Sequence, residues 1–247
     1  MFNASIVKEQ IAEWIAEYFR DNAPPDAKAV VGVSGGKDSS VVAALCTQAL
    51  GADCVLGVLM PQGLQHDIDV AYKLCETLGI HYVEINIGKP VEDLYEKIDK
   101  TGLIRNSIAT FNTPARIRMT VLYAVSGIVS GRVANTCNLS EDWVGYSTKF
   151  GDSAGDFSPL ANFTVTEVKA IGRELGLPGV FIDKTPIDGL SGKTDEDNLG
   201  FTYEVLDRYI REGICEDEKT RERIDSMHHS SRHKIELIPT FIPTFLN

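Results

Sequence analysis

One junction constrains this chain more than any other. Residues 28–33 (K-A-V-V-G-V) form a short apolar β run, and a helical segment follows to about residue 49. Between them lies Gly32-Val33-Ser34-Gly35-Gly36-Lys37-Asp38-Ser39-Ser40. A glycine-rich turn from strand to helix exposes successive backbone N–H groups. The helix N-terminus adds partial positive charge, so the two together suit a phosphate. Gly35 and Gly36 let the backbone approach a ligand closely. Ser34, Ser39 and Ser40 can donate hydroxyl hydrogen bonds. Asp38 is a poor phosphate partner but a good ligand for a magnesium ion carried on that phosphate. The Walker spacing is absent, because Asp38 follows Lys37. The G-x-G-x-x-G spacing is absent too, because residue 34 is Ser and residue 37 is Lys.

The rest of the chain repeats the alternation of strand and helix. Ile11, Trp14, Ile15, Tyr18 and Phe19 stand at helical spacing over residues 5–20, and Pro24 and Pro25 end that helix. Strands are expected at 54–60 and 81–87, with a helix near 65–78 between them. A further helix is expected to open at Thr113 as N-cap, with Pro114 at its first position, and to run to 129. Residues 132–136 read as a buried strand and 145–160 as an ordered loop. Thr164 and Glu167 form a capping box for a helix to about 175. A loop over 183–194 leads to a helix around 195–211, opened by Asp195-Glu196-Asp197. This pattern signals an α/β fold, a doubly wound parallel sheet with flanking helices. No linker divides it, so residues 1–247 are expected to form a single domain.

Composition narrows the setting. The chain carries 24 Lys and Arg against 35 Asp and Glu, a net charge of −11, which counts against nucleic acid as partner. It does not count against a local anion pocket, which needs only a few groups. The five cysteines, Cys46, Cys54, Cys75, Cys137 and Cys215, form no C-x-x-C pair. Reduced thiols in the cytoplasm are therefore expected, without a zinc ribbon. The uncharged stretch between Arg118 and Arg132 is too short for the roughly 20 apolar residues of a membrane span, so no membrane is expected.

The loop S-G-G-K-D-S resembles the signature of the ATP pyrophosphatases, whose fold is adenine-nucleotide α-hydrolase-like. Four further stretches narrow the resemblance: N-T-P-A-R-I-R-M at 112–119, T-C-N-L-S-E-D-W-V-G-Y-S-T-K-F-G-D at 136–152, T-P-I-D-G-L-S-G-K-T-D-E-D-N-L-G-F-T-Y at 185–203, and H-K at 233–234. Together they are similar to the ammonia-dependent NAD synthetases over roughly residues 5–240. The resemblance implies ATP-dependent amidation of deamido-NAD (nicotinic acid adenine dinucleotide). The substrate carboxylate attacks the α-phosphate of ATP and pyrophosphate leaves. Ammonia then attacks the acyl-adenylate to give NAD and AMP. Two anions must meet, so cations and oriented donors are needed, and water must be kept from the adenylate.

Residue by residue, the resemblance places ATP on Gly32, Val33, Ser34, Gly35, Gly36, Lys37, Asp38, Ser39 and Thr136. It places Mg2+ on Asp38 and Glu141, and deamido-NAD on Arg116, Lys149, Asp156, His233 and Lys234. Asp152 matches an aspartate that binds or deprotonates ammonium, with Tyr123 near it. A homodimer is implied, with helix 114–130 at its interface and the small residues Ala115, Ala124, Ser126, Gly127 and Ser130 allowing close packing. At this length no separate amidase domain is expected, which favours free ammonia over glutamine. The chain departs from the family where Val165 replaces an ATP-contacting lysine, where Ile187 replaces Thr or Ser, and where Asn135-Thr136-Cys137 replaces G-T-D. Lys169 or Lys184 are the candidates to substitute for that lysine. Without the resemblance, Arg116 in a first helical turn reads as a ligand contact, Asp152 and Asp156 as either ligand contacts or loop braces, and His228, His229 and His233 as a solvated or frayed tail. The alternatives to this function are a tRNA-modifying member of the superfamily and a non-catalytic nucleotide-binding protein.

Overall fold

The computed structural model describes residues 2–183 and 194–243. In chain order the elements are α1 (Ala4–Asn22), β1 (Ala29–Gly32), α2 (Lys37–Leu50), β2 (Val55–Leu59), α3 (Ile68–Leu78), β3 (His81–Glu84), α4 (Gly88–Asp99), α5 (Ser107–Ile128), β4 (Arg132–Ala134), α6 (Leu139–Val144), α7 (Val165–Glu174), α8 (Gly179–Ile182), α9 (Asp195–Leu199), α10 (Tyr203–Glu212) and α11 (Glu218–Ser231). The strands form one parallel sheet in the order β3-β2-β1-β4. The chain winds outward from β1 to β3, then returns to the other side of β1 as β4. The strand order therefore reverses between β1 and β4, and a crevice opens there at the carboxyl ends.

Alternation along β1 divides the core. Ala29 and Val31 face a large cluster with Ile15 of α1, Val41 and Leu45 of α2, Leu74 of α3, Ile171 of α7 and Phe181 of α8. Val30 faces the other way, against Val58 and against Val125, Leu122 and Val129 from the α5 side. Beyond β4, Phe157 bridges Ala134 in parallel and stacks on Tyr18 at 5.1 Å, which fixes the 152–158 segment to the sheet edge.

The doubly wound parallel sheet and the Thr164–Glu167 capping box are as expected. Several boundaries differ. The helix expected to open at Thr113 begins at Ser107, capped by Asn106, whose Oδ1 accepts from Ala109 N at 2.9 Å. Pro114 lies inside it. An interior proline leaves the carbonyl four residues back without its donor. Here that carbonyl is Thr110 O, and the Tyr95 hydroxyl of α4 donates to it at 3.0 Å. Arg116 is thus mid-helix, and the first-turn argument for it does not apply. The helix expected over 195–211 is two, broken at Gly200 (φ 81°) and restarted by the Thr202 cap. Residues 218–231, which carry His228 and His229, form an ordered helix and not a frayed tail. The loop expected at 183–194, with Lys184 and Ile187, lies outside the described residues except at its ends.

Candidate active site

The phosphate loop leaves β1 at its carboxyl end. Gly36 is the N-cap of α2 in an extended conformation, and no side chain caps the helix. The first N–H groups of α2 therefore face the crevice without a side-chain partner, as an anion site requires. Ser40 N and the Ser39 and Ser40 hydroxyls all donate to Gly36 O, the last at 2.8 Å, which holds the turn tight. Ser34 Oγ accepts from Gly36 N at 3.2 Å and lies 3.1 Å from Ser39 Oγ. The two glycines have different reasons. Gly35 has φ +76°, and a Cβ there would stand 2.9 Å from Ala71 N of α3. Gly36 would meet only Ser34 Oγ, at 3.4 Å, so its other side is open space. Thr136 lies two residues past Ala134, which pairs with Val31, just beyond the carboxyl end of β4.

Asp38, in the first turn of α2, and Glu141, in the first turn of α6, converge from opposite sides. Buried Asn138 joins them: its Oδ1 accepts from Glu141 N at 3.1 Å, and its Nδ2 donates to Asp38 Oδ1 at 2.9 Å. The Lys37 ammonium lies between the carboxylates, 2.9 Å from Asp38 Oδ2 and 3.4 Å from Glu141 Oε1. Burial alone lowers the Lys37 pKa, but Asp38, Glu141 and Asp195 outweigh it and hold the ammonium charged. Burial and the Asp38 charge push the Glu141 carboxyl up, against the pull of Lys37. Two carboxylates sharing one monovalent cation, with Asp195 close by, leave the cluster short of positive charge. Hard oxygen donors aimed at one point fit a magnesium ion, which takes one or two protein carboxylates and completes its shell with phosphate and water.

Three of the residues expected around the second substrate are joined by hydrogen bonds to a common segment at 145–149. Arg116 Nε donates to Lys149 O at 3.3 Å, the Lys149 ammonium donates to His233 O, and Lys234 Nζ donates to Gly145 O at 2.7 Å and Ser147 O at 2.9 Å. Helix α5, the 145–151 turn and the segment after α11 are thereby tied together. The His233 ring is exposed, with Nδ1 3.1 Å from Ser230 O three residues back. Asp152 Oδ1 accepts from Thr148 N at 2.8 Å, and Asp156 accepts from Val133 N at 2.7 Å and from the Tyr123 hydroxyl at 3.4 Å. Both aspartates brace the loop, and Tyr123, expected near Asp152, pairs with Asp156 instead. A cleft of about 610 Å³ runs alongside, lined in part by Asp142, Trp143, Asp156, His228 and Lys234. Burial lifts the Asp142 carboxyl to about 6, against the hydrogen bond from Ser147.

Other positioning groups were not singled out from the sequence. Asn138 carries only the signal of a residue type that caps helices. Asn135 binds the Asp152 carbonyl at 3.0 Å and accepts from Cys137 N at 2.9 Å, anchoring the Asp152 loop to β4. Arg118, largely buried and with its pKa lowered by that burial, donates to Met60 O at the end of β2. Val165, one of the departures noted in the sequence, is buried with Leu199, Phe201 and Leu206. No helix among the described residues is long and apolar enough to cross a membrane.

Known proteins share this architecture. A family model described as NAD synthase matches residues 7–243. The NH(3)-dependent NAD(+) synthetase of Pyrococcus furiosus is 37% identical over 240 residues, covering 92% of this chain and 91% of that protein. Among solved structures, NMN synthetase from Francisella tularensis is 31% identical with a TM-score of 0.89, covering 99% of this chain and 100% of that one. NH3-dependent NAD synthetase from Campylobacter jejuni, in complex with the nitrate ion, is 26% identical with a TM-score of 0.79, covering 98% and 100%. The sheet is accordingly the adenine-nucleotide α-hydrolase-like fold that the S-G-G-K-D-S loop implies. With the phosphate loop, the paired carboxylates and near-complete coverage in agreement, the chain belongs to the NAD synthase family.

Proposed function

We propose that this chain, as a single unit over 1–247, amidates deamido-NAD to NAD with ammonia, consuming ATP and releasing AMP and pyrophosphate. The observation that carries the reading is the meeting of the uncapped α2 N-terminus with Asp38 and Glu141 at the β1/β4 crevice. Residues 32–39 and Thr136 hold the phosphates through backbone N–H and hydroxyl donors. Asp38 and Glu141 would hold Mg2+, which supplies positive charge to the phosphates when bound. Arg116, Lys149, Asp156, His233 and Lys234 border the place of the dinucleotide. Asp152, anchored through Thr148 N and through Asn135, takes the proton from ammonium as the nitrogen attacks. The tethers from Arg116, Lys149 and Lys234 close one wall of the site and limit water at the adenylate.

The α5 face supports a homodimer in the cytoplasm. Ile108 and Phe111, one turn apart at the start of α5, are 66% and 49% exposed, an apolar patch that a second copy would cover. All five cysteines are free thiols.

A second reading comes from the 0.89 TM-score to the Francisella tularensis NMN synthetase. In that case the acceptor is the carboxylated mononucleotide, without the AMP half. One set of assays tests both readings. Purified protein with ATP, Mg2+ and ammonium is offered deamido-NAD or deamido-NMN (nicotinic acid mononucleotide), and ammonium is then replaced by glutamine. The proposal expects NAD and AMP from deamido-NAD and ammonium. Amide product from the mononucleotide alone supports the second reading, and no AMP with either acceptor overturns both.

A further inference from the structure

The residue between the glycines and Asp38 is a lysine whose ammonium is held by two carboxylates. Lys37 is 3% exposed, and its Nζ lies 2.9 Å from Asp38 Oδ2, 3.4 Å from Glu141 Oε1 and 5.5 Å from the centre of the Tyr203 ring. Asp195, at the start of α9, adds a further negative charge on the same side and receives the Tyr203 hydroxyl at 3.5 Å. Asp38, Glu141, Asp195 and Tyr203 thus surround one ammonium, drawn from α2, α6, α9 and α10. Without a cation there, Asp38 and Glu141 would be like charges packed together in a buried site, and they would repel. Lys37 keeps the two carboxylates in register in the absence of any metal.

We propose that Lys37 is a resident counter-cation of the Asp38–Glu141 pair, so that the pair accepts a divalent metal only together with the triphosphate that draws the Lys37 ammonium away. The inference rests on the reading of Asp38 and Glu141 as the metal ligands. A divalent ion bound to these oxygens sits about 2.1 Å from each. The ammonium already lies within hydrogen-bond distance of the same oxygens, so both cations cannot remain there. Metal arriving alone must move a buried ammonium away from its partners with no new anion to receive it. Metal arriving with ATP brings phosphate oxygens to the same loop, and Lys37 turns to them. The chain from Cβ to Nζ is flexible enough for that swing about a fixed α2 first turn. Linkage then makes the coupling mutual: the nucleotide tightens the metal, and the metal tightens the nucleotide by the same factor.

The test is Mn2+ binding to the full chain, followed by loss of the free-ion electron paramagnetic resonance signal, with Mn2+ alone and with Mn2+ plus α,β-methylene-ATP. In the unaltered protein Mn2+ alone binds weakly and the analogue tightens it strongly. Lys37→Met removes the resident charge, so Mn2+ alone binds about tenfold tighter or more and the coupling to the analogue shrinks. Lys37→Arg keeps a cation and stays weak toward Mn2+ alone. Should Lys37→Met fail to fold by circular dichroism, Lys37→Gln carries the same expectation. If the neutral variants bind Mn2+ alone no more tightly than the unaltered protein, the proposal is wrong. Asp38→Asn separates that failure from the failure of the ligand reading. Unchanged Mn2+ binding with the analogue in Asp38→Asn overturns the ligand assignment. Lost binding there, beside unchanged neutral variants, overturns the Lys37 proposal alone.

Discussion

The two halves of the site are built differently. The nucleotide half sits on residues 32–40 of one strand-loop-helix unit, and most of its hydrogen bonds join residues two to five positions apart. The acceptor half is assembled across the chain: Arg116 reaches Lys149 over 33 positions, and Lys234 reaches Gly145 over 89. The turn itself is closed within β1 and α2, although Lys37 and Asp38 also reach Glu141 and Asn138 across the crevice. The acceptor half exists only after α11 has docked. A local motif therefore tolerates no change in backbone, whereas a long-range cluster tolerates loss of one tether at a graded cost.

The largest effect belongs to the nucleotide half. Asp38→Ala removes one proposed metal ligand and the acceptor of Asn138 Nδ2. Adenylation, followed as pyrophosphate release, should fall by about 10³-fold or more. Near-normal release would remove the metal role of Asp38 and erase the contrast between the halves. Next comes Gly35→Ala, which forces a side chain to φ +76° and to 2.9 Å from Ala71 N. It should cost about 1–3 kcal/mol in denaturant unfolding. Gly36→Ala, at φ −85°, should cost about 0.5 kcal/mol or less in stability but weaken nucleotide binding. Equal destabilisation by both would mean that the open side of Gly36 does not face a ligand.

This difference also sets what could be read in advance. The parallel sheet followed from short apolar runs alternating with helical ones, and the phosphate loop from consecutive residues. Glu141 was legible as a first-turn carboxylate. The role of Lys37 was not, because its second carboxylate lies 104 positions away. The α5 boundary was missed for a similar reason: Pro114 reads as a helix start until the Tyr95 hydroxyl is seen to serve the Thr110 carbonyl. Helix α11 shows little apolar periodicity, with Ile224 buried and Met227 partly buried against the same cluster. Its order comes instead from docking, including the Trp143–His228 stack at 4.1 Å.

In the acceptor half the expected effect is smaller and selective. Arg116→Ala should raise KM for deamido-NAD by about 10–100-fold while leaving KM for ATP near its original value. A matching rise in both would show that Arg116 supports the whole crevice and does not serve the acceptor half alone.

The smallest expected effect is a pH dependence carried by the acceptor side. Asp142 lines its cleft, and burial lifts its carboxyl from the ordinary 3.8 to about 6. The folded state therefore holds the Asp142 proton more tightly than the unfolded chain. Its contribution to stability is fully present below about pH 4 and is lost as pH rises through about 6. Above that range the protein keeps a buried charge it would rather not carry, eased only in part by the Ser147 hydroxyl at 3.2 Å. Asp142→Asn keeps an oxygen for Ser147 and removes the charge. It should stabilise the fold by about 1–2 kcal/mol at pH 7.5 after allowing for partial solvent screening. In a chain of this size that is a rise of about 2–8 °C in melting temperature. The gain should shrink to nothing by about pH 4, where both proteins are neutral at this position. A pH-independent gain would point to packing and not to charge. A loss at pH 7.5 would mean that the Asp142 charge has a cationic partner in the folded protein, and the acceptor half would then be as tightly prescribed as the loop at 32–40.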